Sequence, residues 1–501
     1  MRTLEEILAI PEVERKIYYL KKGRKTMLPN AHALYNDWNP NRHEIVIDEE
    51  KYPKIKIITK PEERITDPTT GKEYVEPAVK KEVEPNRIAL PIEQDIVNLQ
   101  TAFTVGTEPT LDCQPDQSEE SLLSALKQVF KKNKLKYQNK KIVRAWLAEQ
   151  EVAEYWYVVK DDGFWTKLKR KVTDIFGKSK PEYRLKSAIW SPFRGDKLYP
   201  FFNDQGDLVA LSREYKKKDL DDVEITCFMT ITKDMVYQWE LTNNWTDKGS
   251  FAHGFKKMPV IYMWRPEAYC EKIKSLRVRL EKLLSNYADC IDYHFFPILM
   301  LFGDVQNFSG EFKNRVVELT GQGANAQYLT WSQVPDTVKF EVETLLSQIY
   351  GLTNTPRISF DSLKGTGNAV SGVTFDYVFM STHLNVENLN ETVGEFMQRR
   401  VNFLTSALGS VNTTLETAAE TIDIDVQMQP YKLEDIKDKI DTAIKAKDGE
   451  IWSQERAITF VGNVDSVLDE IEAIKEEQAE KQNDDIEKQK KINEINGKNR
   501  L

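Results

Sequence analysis

The stretch Ile273-Lys-Ser-Leu-Arg-Val-Arg-Leu-Glu-Lys-Leu-Leu-Ser-Asn-Tyr-Ala-Asp-Cys-Ile291 decides how the rest of the chain is organised. Its apolar residues Ile273, Leu276, Leu280, Leu283, Leu284, Tyr287 and Ile291 recur at gaps of mostly three and four, so they share one helical face. Pro266 suits a first turn and Pro297 closes the run. Together they predict a helix of roughly 30 residues, about 45 Å long. Propensity alone does not hold up a lone helix of that length. No helical partner stands within a short loop of it, so a neighbouring copy of the chain is the expected cover for its stripe.

Downstream, residues 297–335 form a compact insert, with strands predicted at Phe296–Phe302 and Gln327–Trp331. A helix is predicted between them at Glu311–Leu319, and Gly321 and Gly323 read as a flexible turn. A second helix follows over 336–351, with Val338, Val342, Leu345, Leu346 and Ile349 on one face. Next comes a loop, 352–372, containing Thr355-Pro356 and Lys364-Gly-Thr-Gly-Asn-Ala-Val-Ser-Gly372. Its glycines permit unusual φ values and Ser371 can cap the next helix. That helix carries Val373, Tyr377, Met380, Leu384, Phe396 and Val401.

Upstream, Leu4, Ile7, Leu8, Val13, Ile17 and Tyr18 predict helix, ended by Lys21-Lys-Gly-Arg-Lys25. Strands are predicted at Glu44–Asp48 and Ile55–Thr59, and residues 60–87 read as an exposed excursion. Helices are expected at Pro91–Phe103, stopped by Gly106, and at 119–132 and 138–149. A strand at Val152–Val159 and a β-rich region from Ser187 to Trp264 follow. Segment 163–180 pairs an apolar face (Trp165, Leu168, Val172, Ile175, Phe176) with crowded lysines and arginines. It packs on its own core or a neighbouring subunit, meets a partner protein, or touches nucleic acid or membrane. Near the end, Ile422–Met428 alternates as a strand does, Leu433–Ile444 is amphipathic, and Ser453 caps another helix. Residues 478–501 are either a solvated helix or disordered.

The composition is that of a folded protein with a large wetted surface: 40% hydrophobic, 30% charged, net charge −9. Tight DNA binding draws on many cation–phosphate contacts, so this balance argues against a conventional DNA-binding protein but not against a conduit. Four cysteines without a regular framework read as reduced thiols of a protein made in a cytosol. The start is not a signal peptide, and no apolar run reaches the roughly 20 residues that span a bilayer.

The sequence carries no recognisable catalytic pattern. The 364–372 loop lacks a Gly-Lys-Ser/Thr ending, so a nucleotide-binding reading is set aside. His32, His43, His253, His294 and His383 have no metal-ligand spacing, and no carboxylate dyad can be nominated. No catalytic residue, metal or cofactor is therefore expected.

The order of long helix, insert, second helix, glycine loop and long helix resembles the core of tailed-bacteriophage portal proteins. Pro356 with Ser371-Gly372, Tyr18-Tyr-Leu-Lys-Lys-Gly23, Asn86-Arg-Ile to Gly106-Thr-Glu-Pro109 and Gly254-Phe-Lys-Lys-Met-Pro259 are similar to that family's pattern. The resemblance covers about Tyr18 to Glu477 and implies an α+β subunit. Its parts would be a mixed α/β wing (1–265, with a possible insertion at 163–180, and 373–430), stem helices (266–296 and 336–351) and a clip (297–335). A tunnel loop (352–372) and a helical crown with a charged tail (431–501) complete it. The family's function is a ring, usually of twelve copies, at one capsid vertex. It is the channel for double-stranded DNA and the platform for the terminase large subunit and the head–tail adaptor.

On this resemblance Arg357, Lys364, Gly365, Gly367, Asn368, Ser371 and Gly372 would line the channel, with Arg357 and Lys364 nearest the phosphates. Ile273, Leu276, Leu280, Leu283, Tyr287 and Ile291 would form the subunit interface. Major capsid and scaffold proteins would be further partners, with no membrane. The protein would assemble in the host bacterial cytoplasm, reside in the virion and have no chemistry of its own. Two rivals remain: another structural virion or adaptor protein, and a nucleic-acid enzyme with dispersed carboxylate metal ligands.

Overall fold

A computed structural model describes residues 2–60, 62–66, 73–160, 183–218, 221–294, 298–308, 317–329, 335–357, 372–429, 431, 436–462, 467, 470–481 and 488. The chain divides into two compact units, Met1–Arg357 with Ser381–Tyr431, and Ile358–Met380 with Lys432–Leu501.

The first unit is α+β and built in layers. A five-stranded antiparallel meander runs in the spatial order Trp245–Ala252, Met235–Leu241, Glu224–Thr232, Leu208–Lys218, Lys197–Phe202. Its strands alternate as a two-sided sheet requires. Ala210 and Phe228 face the helices Leu4–Leu8 and Val13–Lys22, packing with Ile17, Leu20 and Tyr199. Their neighbours Leu211 and Met229 turn the other way, onto Ala153, Trp190, Val260 and Tyr262. Those four belong to a three-stranded sheet ordered Val260–Trp264, Glu151–Lys160, Tyr183–Trp190. Its far side, with Val152, Trp156, Ile261 and Met263, joins the main core. Helices Ile92–Val105 and Leu135–Glu149 and residues 386–407 of the helix Gly372–Val411 supply much of the rest of that core. Gly23 ends the helix Val13–Lys22 so close to the sheet that a Cβ there would sit 2.2 Å from the Phe201 ring.

The first long helix is Lys274–His294, entered through a 3-10 turn at Glu271–Ile273, rather than starting at Pro266. The reason lies upstream. Arg265 N–H donates to the Gln150 carbonyl and Tyr269 N–H to the Leu147 carbonyl, so 265–269 is tied to the end of Leu135–Glu149. Pro335–Leu352 packs along the first long helix and joins the same core through Val342, Leu345, Leu346 and Ile349. A partner thus exists within the chain, brought back by an insert too long for the sequence argument to bridge.

The insert is a hairpin, Ile298–Phe308 antiparallel to Val317–Leu329. The helix expected at Glu311–Leu319 is overturned at Val317–Leu319, which is strand, and Gly321 and Gly323 lie within a strand rather than a turn. Residues 309–316 lie outside the described residues. Glu44–Ile47 is a helical turn, not a strand, following the 3-10 turn Pro40–Arg42. A run of three apolar residues, Ile45 to Ile47, cannot separate the two by periodicity. The 60–87 excursion holds two antiparallel pairs, Glu63–Thr66 with Glu73–Glu76, and Ile55–Lys60 with Val79–Val83.

Other expectations agree with the structure: helices Ile92–Val105, Glu120–Asn133 and Leu135–Glu149, and the β-rich region from Ser187 to Trp264, whose strands divide between the two sheets. The predicted strand near Ile422–Met428 is reduced to Asp425–Gln427, paired with Thr110–Asp112. Segment 163–180 lies outside the described residues.

In the second unit Ile436–Asp448 and Gln454–Val461 form a helical pair with Ala443 and Ala457 buried. Ser453 caps the second helix by accepting from Arg456 N–H at 3.2 Å, and Trp452 meets Phe460 edge-on.

Candidate functional site

The end of Pro335–Leu352 turns through Thr353-Asn-Thr355, with Asn354 at φ 47°. Left-handed backbone in a residue other than glycine must be held by its surroundings. Here Gln100 Nε2 donates to the carbonyls of Thr353 (3.2 Å) and Asn354 (3.1 Å) and to Thr355 Oγ1 (2.9 Å). Tyr269 OH donates to the Thr353 carbonyl at 2.6 Å. From the third long helix, Thr382 Oγ1 donates to the Asn354 carbonyl at 2.8 Å. Asn385 Nδ2 donates to Gln100 Oε1 and to the Tyr269 oxygen, both at 2.9 Å. The result is a buried, uncharged lock that bonds residues 353–355 directly to residue 382. The two ends of the 356–381 excursion are therefore fixed to each other. Burial raises the Tyr269 hydroxyl well above its ordinary range, which keeps it a donor.

The expected site residues distribute around this root. Arg357 is exposed and pairs with Glu343 Oε2 at 2.7 Å. Lys364, Gly365, Gly367, Asn368 and Ser371 lie outside the described residues, and Gly372 opens the helix Gly372–Val411. Gln100, Tyr269, Thr382 and Asn385 were missed by sequence reading. The available signal was polar Gln100, Thr101 and Thr104 set among Leu99, Ala102, Phe103 and Val105 at the end of the helix Ile92–Val105, all three of them buried.

A second polar cluster is charged. Arg277, on the first long helix, is 1% exposed. Its Nη1 donates to Glu281 Oε2 and its Nη2 to Asp37 Oδ1, both at 3.0 Å. Its Nε faces Glu93 as an ion pair without hydrogen-bond alignment. Lys274 Nζ donates to Asp37 Oδ2 at 2.6 Å, and His43 Nδ1 lies 2.6 Å from Glu281 Oε1. Burial pushes the Glu93 carboxyl up to about 7 against the opposing pull of Arg277. Further along, Ser285 and Asp289 continue the four-residue spacing from Glu281. Leu90 N–H donates to Glu281 (2.9 Å), Ile88 N–H to Ser285 (2.9 Å) and Asn86 N–H to Asp289 (2.8 Å), so an extended segment is zipped onto the helix's polar face.

This changes the reading of the apolar stripe. Ile273 and Leu280 are fully covered by the chain's own core, and Leu276 and Leu283 pack against it half-buried. Tyr287 is half-buried, and Ile291 is 41% exposed. A neighbouring copy is thus not needed to cover the first half of the stripe. On the third long helix the buried side runs through Val386, Leu389, Val393, Phe396 and Val401, while Leu384, expected there, is 61% exposed.

The family described as "Phage portal protein, SPP1 Gp6-like" matches residues 56–484. The chain belongs to that phage portal family. Portal proteins are structural components of the virion, and the α+β architecture here is a portal subunit's. No curated protein matches the sequence. Among solved structures, a chain of the neck of an empty GTA particle computed with C6 symmetry is similar at 10% identity and TM-score 0.42. The match covers 74% of this portal chain and 90% of that chain. A chain of the virion of the native gene transfer agent (GTA) particle gives 10% identity, TM-score 0.38 and the same coverages. Among the described residues of the portal chain, no helix is long and apolar enough to cross a membrane, and no three His, Cys, Asp or Glu residues gather to hold a metal.

Proposed function

We propose that this portal chain is the repeating subunit of a closed ring, of twelve copies, at one capsid vertex. Double-stranded DNA enters and leaves through its channel. The observation carrying this reading is the lock that bonds Thr353–Thr355 to Thr382 and closes the 356–381 excursion at its root. A loop that brushes a moving polymer needs rigid ends and a free middle, and a buried neutral lock supplies the first without attracting phosphates. Arg357 and Lys364 are the cations nearest the passing DNA, with Gly365, Gly367, Asn368, Ser371 and Gly372 completing the channel loop.

In this assignment residues 1–265 and 373–430 are the wing, and 266–296 and 336–351 the stem. Residues 297–335 are the clip and 431–501 the crown with its tail. The hairpin clip docks the terminase large subunit and later the head–tail adaptor. Major capsid and scaffold proteins meet the outer surface, and assembly takes place in the host cytoplasm. Neighbouring subunits cover the apolar groups the chain leaves open on its paired helices. Among the described residues these are Ile291, Leu352 and the 74% exposed Phe340. The protein performs no chemistry itself.

Native mass spectrometry with negative-stain imaging tests the reading. A ring of about twelve copies with a central hole is the expected result. A chain that stays monomeric at high concentration, with scaffold and capsid proteins present, would overturn it.

A further inference from the structure

The first unit carries an open groove of about 660 Å³. Its rim holds four exposed lysines, Lys127, Lys131, Lys134 and Lys136. None of them has an ion-pair partner among the described residues, and Glu108 is the one acid in the lining. The walls are apolar: Phe130, Leu135, Val401 and Val426. Arg400 also lines the groove. It is 2% exposed and bonded through Nε to Glu154 (2.6 Å), while its Nη2 has no hydrogen-bond partner. In a chain of net charge −9 this is a concentrated positive site around an apolar trough.

Lys134 adds an independent mark. It joins helices Glu120–Asn133 and Leu135–Glu149 in a left-handed conformation, φ 53° and ψ 47°. Glycine is the unstrained residue there, because a Cβ crowds the following carbonyl. A lysine at this corner puts a cation on the rim at the expense of backbone ease.

We propose that the groove docks an acidic amphipathic helix of a partner protein. Its apolar ridge lies in the trough and its carboxylates meet the rim lysines. The rim's geometry selects a helix. Lys127 and Lys131 are four residues apart on one helix, a spacing that a facing helix with glutamates four apart reproduces. Several cations strung along a rim also call for several anions, where a single-headed lipid offers one. The groove's chemistry does not depend on ring formation, so this proposal stands or falls separately from the channel reading.

The test uses the full-length protein and two fluorescein-labelled peptides of about 18 residues and identical composition. One has leucine and isoleucine at helical spacing with glutamate on the other face, and the second is scrambled. Fluorescence anisotropy at about 0.1 M salt reads binding. The ordered peptide is expected to bind roughly ten-fold more tightly than the scrambled one, and Lys127→Glu with Lys131→Glu to weaken it roughly ten-fold or more. Tyr137→Glu, at a lining residue 62% exposed, also weakens it while leaving the fold intact. Lys134→Gly weakens it while the unfolding midpoint holds or rises, which separates lost docking from lost folding. Three results would each overturn the proposal. One is equal binding of the two peptides, and another is undiminished affinity in the lysine double variant. The third is displacement of the peptide by palmitate, which would reassign the groove to an anionic lipid.

Discussion

The two buried polar clusters of the first unit differ in one respect with large consequences. The cluster around Arg277 is ionic: one guanidinium faces Asp37, Glu93 and Glu281 in the core. The lock around Gln100 and Tyr269 contains no charge. Both tie together residues far apart in sequence. The ionic one orders the base of the first long helix, where an error would misplace everything downstream. The neutral one holds the root of the candidate channel loop, where on the channel reading a buried fixed charge would be felt by DNA. Buried charge is thus kept beside the helix and out of the loop's anchor, where the Arg357–Glu343 pair is exposed. The cost of breaking each cluster and its response to pH should differ accordingly.

The largest effect is expected from Arg277→Met. It leaves three carboxylates facing one another with only Lys274 and His43 nearby, and removing one partner of a buried pair costs about 3–5 kcal/mol. Urea unfolding of the full-length protein measures it. A loss below about 1 kcal/mol would mean that water or rearrangement reaches the cluster, and the contrast with the neutral lock would fail.

The pH response follows. Glu93 titrates at about 7 in the folded protein against an ordinary 4.5, raised by burial. A raised carboxyl pKa means the folded state holds the proton more tightly. Its stabilising contribution is therefore complete below pH 4.5 and is lost as pH rises through about 7. The wild type should be more stable at pH 5 than at pH 8, and Glu93→Gln should flatten part of that slope. Its share is at most on the order of 3 kcal/mol. Glu149, also raised to about 7 by burial, carries another share, so Glu93→Gln with Glu149→Gln should flatten the slope further. Unfolding midpoints at several pH values decide it. A slope indifferent to Glu93→Gln would show that Arg277 already keeps that carboxylate charged.

The neutral lock comes next. Gln100→Leu removes one donor from each of the Thr353 and Asn354 carbonyls, and Tyr269→Phe removes one from Thr353, while Thr382 still donates to Asn354 and at least one donor to Thr353 remains in either variant. Each lost bond costs about 0.5–1.5 kcal/mol, and neither variant should alter the pH slope. Limited proteolysis within 358–371 should accelerate in both variants, because that segment loses its fixed ends. Unchanged cleavage would separate the lock from the loop and remove the main support for the channel reading.

The legibility of this protein in its sequence divides along similar lines. Local periodicity was enough for the meander strands, for Ile92–Val105 and for the Ser453 cap, because each depends on residues a few positions apart. It was also enough for the order of long helices that carries the portal resemblance. It failed where distant residues decide. The bonds from 265 and 269 to Leu135–Glu149 delay the first long helix, and the return of Pro335–Leu352 covers its stripe. Arg277 and Glu281 are four apart on a helix, a spacing that exposed and buried pairs share. Nothing local shows that Asp37, His43 and Glu93 close over them. Gln100 was the one member of the lock with a local sign, as a polar residue among apolar ones at the end of its helix.

The smallest effect is expected at the surface of the loop root. Arg357 and Glu343 form a well-placed bond, yet both are exposed, and their gain is offset by hydration and by the ordering of two long side chains. Neighbouring Arg357 holds the Glu343 carboxyl below its usual range, but at an exposed site that shift adds little stability. Arg357→Gln should leave the unfolding midpoint unchanged within measurement, and a double-mutant cycle with Glu343→Gln should return no coupling. If the cycle does return coupling, the root is held by surface charge as well as by the neutral lock. Salt would then loosen it, and Arg357 would be less free to meet DNA than the channel reading requires.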